Sequence, residues 1–294
     1  MRVACALITH LRAKVEMSRH PDLKDSPVLI VDRDLARAKA LVVDSFPGAS
    51  GLTAGMTLEQ AMSRHANAVV LGADEPYYRR VFSGLLTALQ GVGDRVEGAE
   101  LGTAYVRIDG LEAMYRGEAG VVSTLLNAIP FHLNPRVGVA VAKFPAFVAA
   151  RTRKAHGAFR VPDNAGAFLV TFSIDLLPVS VEIKIKLHHF GLHTMGAFVS
   201  MSESVLTDWL GSASRQVWKL SNGSDDTRVV PLVVDEPVIK PTSLPFRSSS
   251  IKPLLMTIDT HLKRTHSRLD MRIRYARATG CPAGSRVDRT GRRP

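Results

Sequence analysis

The hydrophobic and polar positions of the first 165 residues predict strands interleaved with helices. Apolar, β-prone runs of strand length recur there, and one further run alternates apolar and polar residues as a half-buried strand does. The predicted strands are 3–7, 28–31, 68–71, 104–108 and 137–141. This order of elements is typical of an α+β domain built around a sheet.

The clearest predicted helix follows residue 77, because apolar residues recur there at spacings of three and four. They are Tyr78, Val81, Phe82, Leu85, Leu86 and Leu89. Thr57 followed by Gln60 has the form of a capping box and predicts a helix start. Helices are also predicted over 121–128 and 144–153, and we expect the helices to lie on one face of the sheet.

The second half of the chain has a different pattern. After Leu177 we predict short helices around 191–196 and 206–210, which make a small all-helical unit. A stretch rich in Val, Pro and Ser follows Asp225 and indicates a linker. One more predicted helix and a basic strand around Arg272 come next, and the residues from 280 onwards have no hydrophobic period.

The composition is that of a globular protein. Of 294 residues, 46% are hydrophobic and 22% are charged, which argues against a disordered or fibrous chain. The two cysteines, Cys5 and Cys281, cannot form a disulfide framework or a four-ligand zinc site. No apolar run approaches the length of a membrane span, so we expect a cytoplasmic protein with no membrane partner.

Positive charge is concentrated at one end of the chain. The net charge is +11, and thirteen of the 38 Lys and Arg but only three of the 27 acids lie from Lys240 onwards. A basic block of this kind favours a polyanion as partner, because each cation that neutralises a phosphate releases a counterion. Arg272 and Arg274 alternate with apolar residues, so we expect them on one face of a strand that lies against the polyanionic partner. A solvated tail is the alternative.

Several motifs, in a fixed order, resemble those of the Y-family (translesion) DNA polymerases. They are AKVE at 13–16, taken as the end of the first strand, GLTAGM at 51–56, Tyr77-Tyr78, GVAVAKF at 138–144, KAHG at 154–157 and FGLHTMG at 190–196. The resemblance covers residues 1 to about 232. It implies an α+β protein with the palm, fingers and thumb of a Y-family polymerase and a partial C-terminal little-finger domain.

The resemblance also implies where the domains begin and end. They are a palm (1–22 and 72–165), fingers (23–71), a helical thumb (166–232), a linker (233–244), a partial little finger (245–279) and a basic disordered tail (280–294).

The departures from the family concern its metal site. By resemblance, carboxylates that hold two Mg²⁺ ions are expected where this chain has Leu7, Gly102 and Thr103. None of these side chains binds a hard cation as a carboxylate does, so we expect no enzyme activity, no catalytic residue, no metal and no cofactor. In this respect the chain resembles the ImuB-type branch. That resemblance implies a DNA-binding accessory role in translesion repair at the nucleoid, beside a replicative-type polymerase and the sliding clamp.

The nucleotide pocket that the resemblance implies is altered as well. Ser45 and Gly48 stand where the family has a Tyr and an Arg that reach the triphosphate, and Arg12 stands where an aromatic residue screens the sugar. Lys154 matches a lysine that contacts triphosphate, and it is the one nucleotide-binding residue we predict. An ordinary surface lysine is the alternative.

The segment 190–196 resembles a helix-hairpin-helix turn, in which glycines let backbone N–H groups approach a phosphate. The DNA-binding residues predicted in this region are Lys184, Lys186, Gly191, Thr194 and Gly196. A helix end followed by an ordinary turn is the alternative. The nearby His188, His189 and His193 predict no metal site, because no Cys or acid completes a ligand set.

Two other functions stay open at this point. One is an active DNA-directed DNA polymerase whose Mg²⁺ site is displaced onto Asp109 or Glu100. The other is a truncated, decayed gene product, because a little-finger domain has four strands and only one helix and one strand are visible after residue 245.

Overall fold

The computed structural model of the chain describes residues 2–23, 26–32, 40–46, 49–201, 205–207 and 214–231, and four positions after residue 250. The chain divides into two units, Met1–Leu232 and Val233–Pro294. The four described residues of the second unit, Ile251, Leu255, Met256 and Asp259, are helical. The predicted strand with Arg272 and Arg274 lies outside the described residues, as does Gly48.

The first unit alternates strands and helices up to residue 160 and continues with helices. Its strands are β1 (Val3–Leu7), β2 (Val28–Val31), β3 (Val42–Ser45), β4 (Val69–Gly72), β5 (Val96–Gly98), β6 (Thr103–Arg107), β7 (Arg136–Ala140) and β8 (Ala158–Arg160). Its helices begin with α1 (Leu11–Arg19), α2 (Leu58–Arg64), α3 (Glu75–Gln90), α4 (Glu118–Asn127) and α5 (Lys143–Thr152). They continue with α6 (Ala165–Leu169), α7 (Val181–His189), α8 (Met195–Val199) and α9 (Ser214–Ser221).

Strand β1 is the central strand of a five-stranded sheet in the order β5-β6-β1-β7-β8. It pairs antiparallel with both β6 and β7, whereas β7 and β8 are parallel. All five residues of β1 are buried, which is why its sequence is a continuous apolar run. The register places Leu7 opposite Thr103 on one side and opposite Arg136 on the other.

Helices cover both faces of this sheet, so the expectation of helices on one face is wrong. Ala4, Ala6 and Ile8 pack in one core with apolar residues of α1, α3 and α4. Cys5 and Leu7 point to the other face, because side chains alternate along a strand, and they pack against Ala residues of α5. The small side chains of α5 allow it to lie close to β1 and β7.

A second, smaller sheet has the order β3-β2-β4 and occupies most of the segment predicted as fingers. Helix α2 begins as its sequence predicts, because the Thr57 side chain accepts from the Gln60 N–H while the Gln60 side chain accepts from the Thr57 N–H. Ala61 of α2 is buried against Leu29 and Val31 of β2.

Residues 13–16 lie in α1 and do not close the first strand, contrary to the sequence-based expectation. The helix was hard to predict because two of its inward positions are charged. The Lys14 ammonium group is buried and donates to the carbonyl of Leu133 at 2.8 Å. The buried Glu16 carboxylate accepts from the Tyr78 hydroxyl at 2.8 Å, which joins α1 to α3.

The described part of the predicted thumb is helical, and its core also includes Phe144 and Val148 of α5. Leu169, Ile174, Leu187, Met195 and Phe198 are fully buried there. The chain that leaves α9 returns to the sheet: the Asp225 carboxylate accepts from the Phe144 N–H at the start of α5, and Glu97 of β5 accepts from the Val230 N–H. Two carboxylates thus hold the end of the helical region against the sheet.

In the described part of the chain, no helix has the length and apolar character that a membrane crossing requires.

The burial of Lys14 predicts a dependence of stability on pH. Burial lowers the pKa of Lys14 from 10.5 to about 8, the charge of Arg136 lowers it further, and Asp44 opposes the shift. Between these two values the unfolded chain binds a proton that the folded protein does not, so Lys14 makes stability rise with pH. We therefore expect the wild type to gain free energy of unfolding relative to Lys14→Met between about pH 8 and pH 10.

Burial also raises the pKa of the Cys5 thiol, which makes stability fall with pH in the wild type and in Lys14→Met alike. The difference in unfolding free energy between the two proteins removes this shared effect. Denaturant unfolding at several pH values measures it, and Lys186→Met, at an exposed position, is the control. A constant difference between wild type and Lys14→Met across this range would contradict the assignment.

Candidate functional site

One end of the five-stranded sheet brings together three residues from three strands. Leu7 ends β1, Thr103 begins β6 and Arg136 begins β7, and the strand pairing places them side by side. Leu7 and Thr103 are buried, with exposed fractions of 5% and 8%. Two of the three positions predicted to replace carboxylates are therefore neighbours, and their correspondence to a metal site stays a prediction.

Gly102, the third position, has a backbone that only glycine adopts easily. Its φ is +91°, and an added Cβ would lie 2.5 Å from the carbonyl oxygen of Ile8. The Gly102 carbonyl also accepts from the Ile8 N–H at 2.8 Å. An aspartate at this place would require the backbone of the β5–β6 turn to move.

The residues at this place do not fit a divalent metal ion. Leucine and glycine offer no side-chain oxygen, and the Thr103 hydroxyl is neutral, whereas Mg²⁺ is bound by carboxylates and waters in octahedral geometry. Within the described ranges, no group of three or more His, Cys, Asp or Glu is arranged to hold a metal. We assign no reaction step to a metal here.

The two acids weighed as substitutes differ in their surroundings. Asp109 accepts from the Arg2 N–H at 2.7 Å and from the Arg107 Nε at 2.9 Å. Its burial opposes ionisation, but these donors and their charges hold the pKa of Asp109 below its ordinary value. Glu100 is exposed in the turn before β6, and its carbonyl accepts from the Thr103 N–H at 2.8 Å. Asp109 is thus bound into the scaffold, and Glu100 is the more accessible of the two.

Ion pairs connect the start of α1 to neighbouring elements. Arg12 donates to Glu75 of α3 with a closest distance of 2.6 Å. Asp44 of β3 lies 3.0 Å from His10 and accepts from the Ala13 N–H at 3.3 Å. The neighbouring Ser45 is buried. Arg12 therefore links α1 to α3, a contact that its sequence position alone does not reveal.

Lys154 is exposed in the turn after α5, close along the chain to Arg151 and Arg153. Nucleotide binding by Lys154 stays a prediction. Arg136, by contrast, was not selected from the sequence. It enters the site because strand pairing puts it beside Leu7, and its Nη1 donates to the carbonyl of Arg151.

The thumb hairpin between α7 and α8 gives its glycines different roles. Gly191 has φ +74° and no neighbour within 4 Å of an added Cβ. The Gly196 N–H donates to the Val170 carbonyl, and a Cβ on Gly196 would lie 2.6 Å from the Val170 side chain. Gly196 therefore serves close packing, which corrects its assignment as a backbone donor to DNA.

The polar residues of the hairpin differ in their hydrogen bonds. Thr194 caps α8 by accepting from the Ala197 N–H at 3.2 Å. Lys184 donates to the Asp175 carbonyl at 2.7 Å, whereas Lys186 is exposed on α7. Phosphate contact by Lys184, Lys186, Gly191 and Thr194 stays a prediction.

The histidines of the hairpin have an acidic neighbour that the sequence did not reveal. His188 lies 2.8 Å from the Asp175 carboxylate and 2.8 Å from Nδ1 of His193. The hydrogen bond from His188 is the largest cause of the lowered pKa of Asp175. This contact joins α7 and the hairpin to the turn at Ile174–Leu176.

The close approach at Gly102 predicts a stability difference between two glycines. Gly102 and Gly110 both have positive φ, but nothing lies within 4 Å of a Cβ added at Gly110. We expect Gly110→Ala to cost about 1–2 kcal/mol of unfolding free energy from backbone strain alone. Gly102→Ala should cost on the order of 2 kcal/mol more, because the Ile8 carbonyl must move. Equal losses in chemical denaturation would contradict the geometry of this turn.

Comparison with known proteins finds a family model that matches the N-terminal half. Residues 8–151 match the model of the impB/mucB/samB family. The curated relatives include the DNA polymerase IV of Actinobacillus pleuropneumoniae serotype 5b, 24% identical over 221 residues that are 74% of this chain and 62% of the relative. That of Mannheimia succiniciproducens is 26% identical, with the same coverage. The chain thus spans about 62% of the length of these relatives.

Solved structures share the fold. The crystal structure of DinB from Sulfolobus solfataricus superposes with a TM-score of 0.66 at 21% identity, over 78% of this chain and 69% of that one. An insertion ternary complex of Dbh DNA polymerase gives a TM-score of 0.64, with the same identity and coverage.

The expectation that the chain is not an enzyme is wrong on these findings. The relatives are named DNA polymerase IV, and a structure with the same fold is a ternary complex of a DNA polymerase. The expectation extended three replaced side chains to the activity of a whole protein. Leu7, Gly102 and Thr103 show only that no carboxylate stands at these three positions.

The sequence match and the superposition agree with the arrangement described above, in which a central sheet, a smaller sheet and a helical region follow one another along the chain. Residues 8–151 therefore match the impB/mucB/samB family model, and the chain shares the fold of solved Y-family DNA polymerase structures.

Proposed function

We propose that this protein binds primer–template DNA during translesion synthesis, as part of the response to DNA damage. The observation that carries the proposal is the Y-family fold, which extends over 78% of the chain and so reaches beyond the matched family segment into the helical region. Palm, fingers and thumb in this order provide a groove for a duplex in the polymerases that the chain resembles.

The thumb hairpin supports the proposal on the protein side. Its turn at Gly191 is exposed and open, α7 before it carries the exposed Lys186, and Thr194 caps the helix after it. Exposed cations beside an open turn suit a sequence-independent contact with the phosphate backbone. The basic block after Ile239 adds a second source of phosphate attraction, and its contact with DNA stays a prediction.

The partners implied by the ImuB-type resemblance belong to the same proposal. They are a replicative-type polymerase and a sliding clamp, which would meet the protein on damaged DNA at the nucleoid. Their support is the resemblance in sequence motifs.

A second candidate function, nucleotidyl transfer, is favoured by the names of the relatives. Among the acids weighed for it, the exposed Glu100 is better placed than Asp109, which is bound by Arg2 and Arg107. Primer extension with Mg²⁺ or Mn²⁺ tests it directly. Extension that is lost in Glu100→Gln and kept in Asp109→Asn would support this candidate, and extension unaffected by both would separate activity from these acids.

The DNA-binding proposal predicts distinct effects for two exposed cations. Lys186→Ala should weaken binding to primer–template DNA equally for different sequences, because a phosphate contact carries no sequence information. The slope of the logarithm of affinity against the logarithm of salt concentration should fall by about 0.9. Arg80→Ala removes an exposed positive charge from α3 and should change neither quantity.

Fluorescence anisotropy of a labelled primer–template over a range of salt concentrations measures both quantities. Equal effects of Lys186→Ala and Arg80→Ala would remove the hairpin from the DNA contact. No measurable binding by the wild type at low salt would refute the proposed function itself.

A further inference from the structure

An exposed aromatic stack stands at the surface beside the sheet end described above. The ring of Phe131 lies parallel to that of His156, with ring centroids 3.7 Å apart and an interplanar angle of 10°. Phe131 is nevertheless 76% exposed. One face of its ring is therefore supported by His156, and the rest is open to solvent.

The stack is held by two interlocked turns. The Nε2 atom of the His156 ring lies 3.0 Å from the Asn134 side-chain oxygen. The backbone N–H of His156 donates to the Pro135 carbonyl at 2.7 Å. His156 and Asn134 both have positive φ, +59° and +51°, a conformation that costs energy in a non-glycine residue. The hydrogen bonds between the two turns keep Phe131 on a fixed support.

The sequence around this stack carries positive charge without a compensating acid. From residue 119 to residue 162 the chain has no Asp or Glu, although it has six Lys and Arg. Three of them lie next to the interlocked turns: Arg136 follows Pro135, and Arg151 and Lys154 precede His156. The near-neutral total for residues before 240 conceals this block, because acids elsewhere cancel it.

Arg136 and Arg151 are close enough to repel one another. Burial lowers the pKa of Arg136, and the charge of Arg151 lowers it further. The Arg136 Nε is buried and has no hydrogen-bond partner, and within the described residues Arg136, Arg151 and Lys154 form no ion pair with a carboxylate. An anion placed here would relieve the repulsion.

We propose that Phe131, His156, Arg136 and Arg151 form a binding surface for single-stranded nucleic acid, called here the Phe131 platform. An unpaired base stacks on the open face of Phe131, and the adjacent phosphates lie against the two arginines. The inference rests on the proposed function and deepens it, because it assigns the unpaired part of a DNA substrate to a named surface of the palm. Strand pairing places Arg136 of this surface at the same sheet end as Leu7 and Thr103.

An unpaired strand fits these features better than the other polyanions do. In duplex DNA the faces of the bases are stacked on one another, so an exposed ring gains nothing from them. An acidic polypeptide would satisfy the arginines but has no regular need for an open aromatic face. A ring and several cations in one place are the combination by which single strands are bound without sequence preference.

The test compares substitutions of Phe131 in the full-length protein. Phe131→Ala and Phe131→Leu both remove the aromatic ring, but Phe131→Leu keeps most of the apolar area. Phe131→Trp keeps an aromatic face. We expect affinity for a labelled oligothymidine of about 12 nucleotides to fall roughly fivefold or more in the first two and to be kept in the third. Affinity for a blunt duplex of equal length should stay unchanged in all three.

A charge variant with a matched control completes the test. Arg151→Ala should lower the salt dependence of single-strand binding by about 0.7 in slope, and Arg80→Ala on α3 should not. Because Phe131 and Arg151 are exposed, thermal unfolding should match the wild type in each variant.

The outcomes separate this inference from the proposed function. If the wild type binds primer–template DNA and Phe131→Ala binds the oligothymidine as tightly as the wild type, the platform is refuted while the proposed function stands. If Phe131→Ala weakens duplex and single strand alike, the surface does not select the unpaired strand. A competition experiment adds polyaspartate and the oligothymidine at the same concentration of charges. If polyaspartate then displaces the oligothymidine from the wild type but not from Arg151→Ala, the surface prefers an acidic polypeptide, and the inference is wrong. If the wild type binds neither form of DNA, the proposed function fails.

Discussion

The hydrogen bonds of β1 to both β6 and β7 determine how the elements around the five-stranded sheet are arranged. Every residue of β1 is buried, and its two faces pack in separate cores against α1, α3 and α4 on one side and α5 on the other. A shift of one residue would exchange these two faces, so burial on both sides fixes the register strongly. The register in turn sets which residues meet at the sheet end: Leu7, Thr103 and Arg136.

The consequence is a sheet end whose charge differs from that of a carboxylate metal site. Leu7 packs in an apolar core, Gly102 adopts a backbone that leaves no room for a side chain, and Arg136 supplies a cation. Close by, the interlocked turns hold Phe131 against His156. A surface of this kind suits phosphates, and the proposed contact with DNA would bring them there.

Much of this arrangement could be predicted from sequence, and the exceptions have physical reasons. The capping box at Thr57 and the apolar spacing around Tyr78 are local signals, and both elements formed as expected. Helix α1 was missed because the inward-facing Lys14 is charged. The carbonyl that accepts its hydrogen bond belongs to Leu133, 119 positions away in the sequence. Strands β5 and β8 have three residues each and are defined by pairing, which no local pattern contains. The basic residues near Phe131 were visible but were averaged into a neutral total.

Hydrogen–deuterium exchange of the full-length protein, with and without primer–template DNA that carries an unpaired template overhang, tests most directly where DNA is bound. The account predicts slower exchange in residues 131–136 and 153–157 and in the hairpin at 190–196, with α3 unchanged. Replacing the overhang with a blunt end should remove the protection at 131–136 and 153–157 and leave that of the hairpin. Unchanged exchange in all three segments on saturation with DNA would contradict the account.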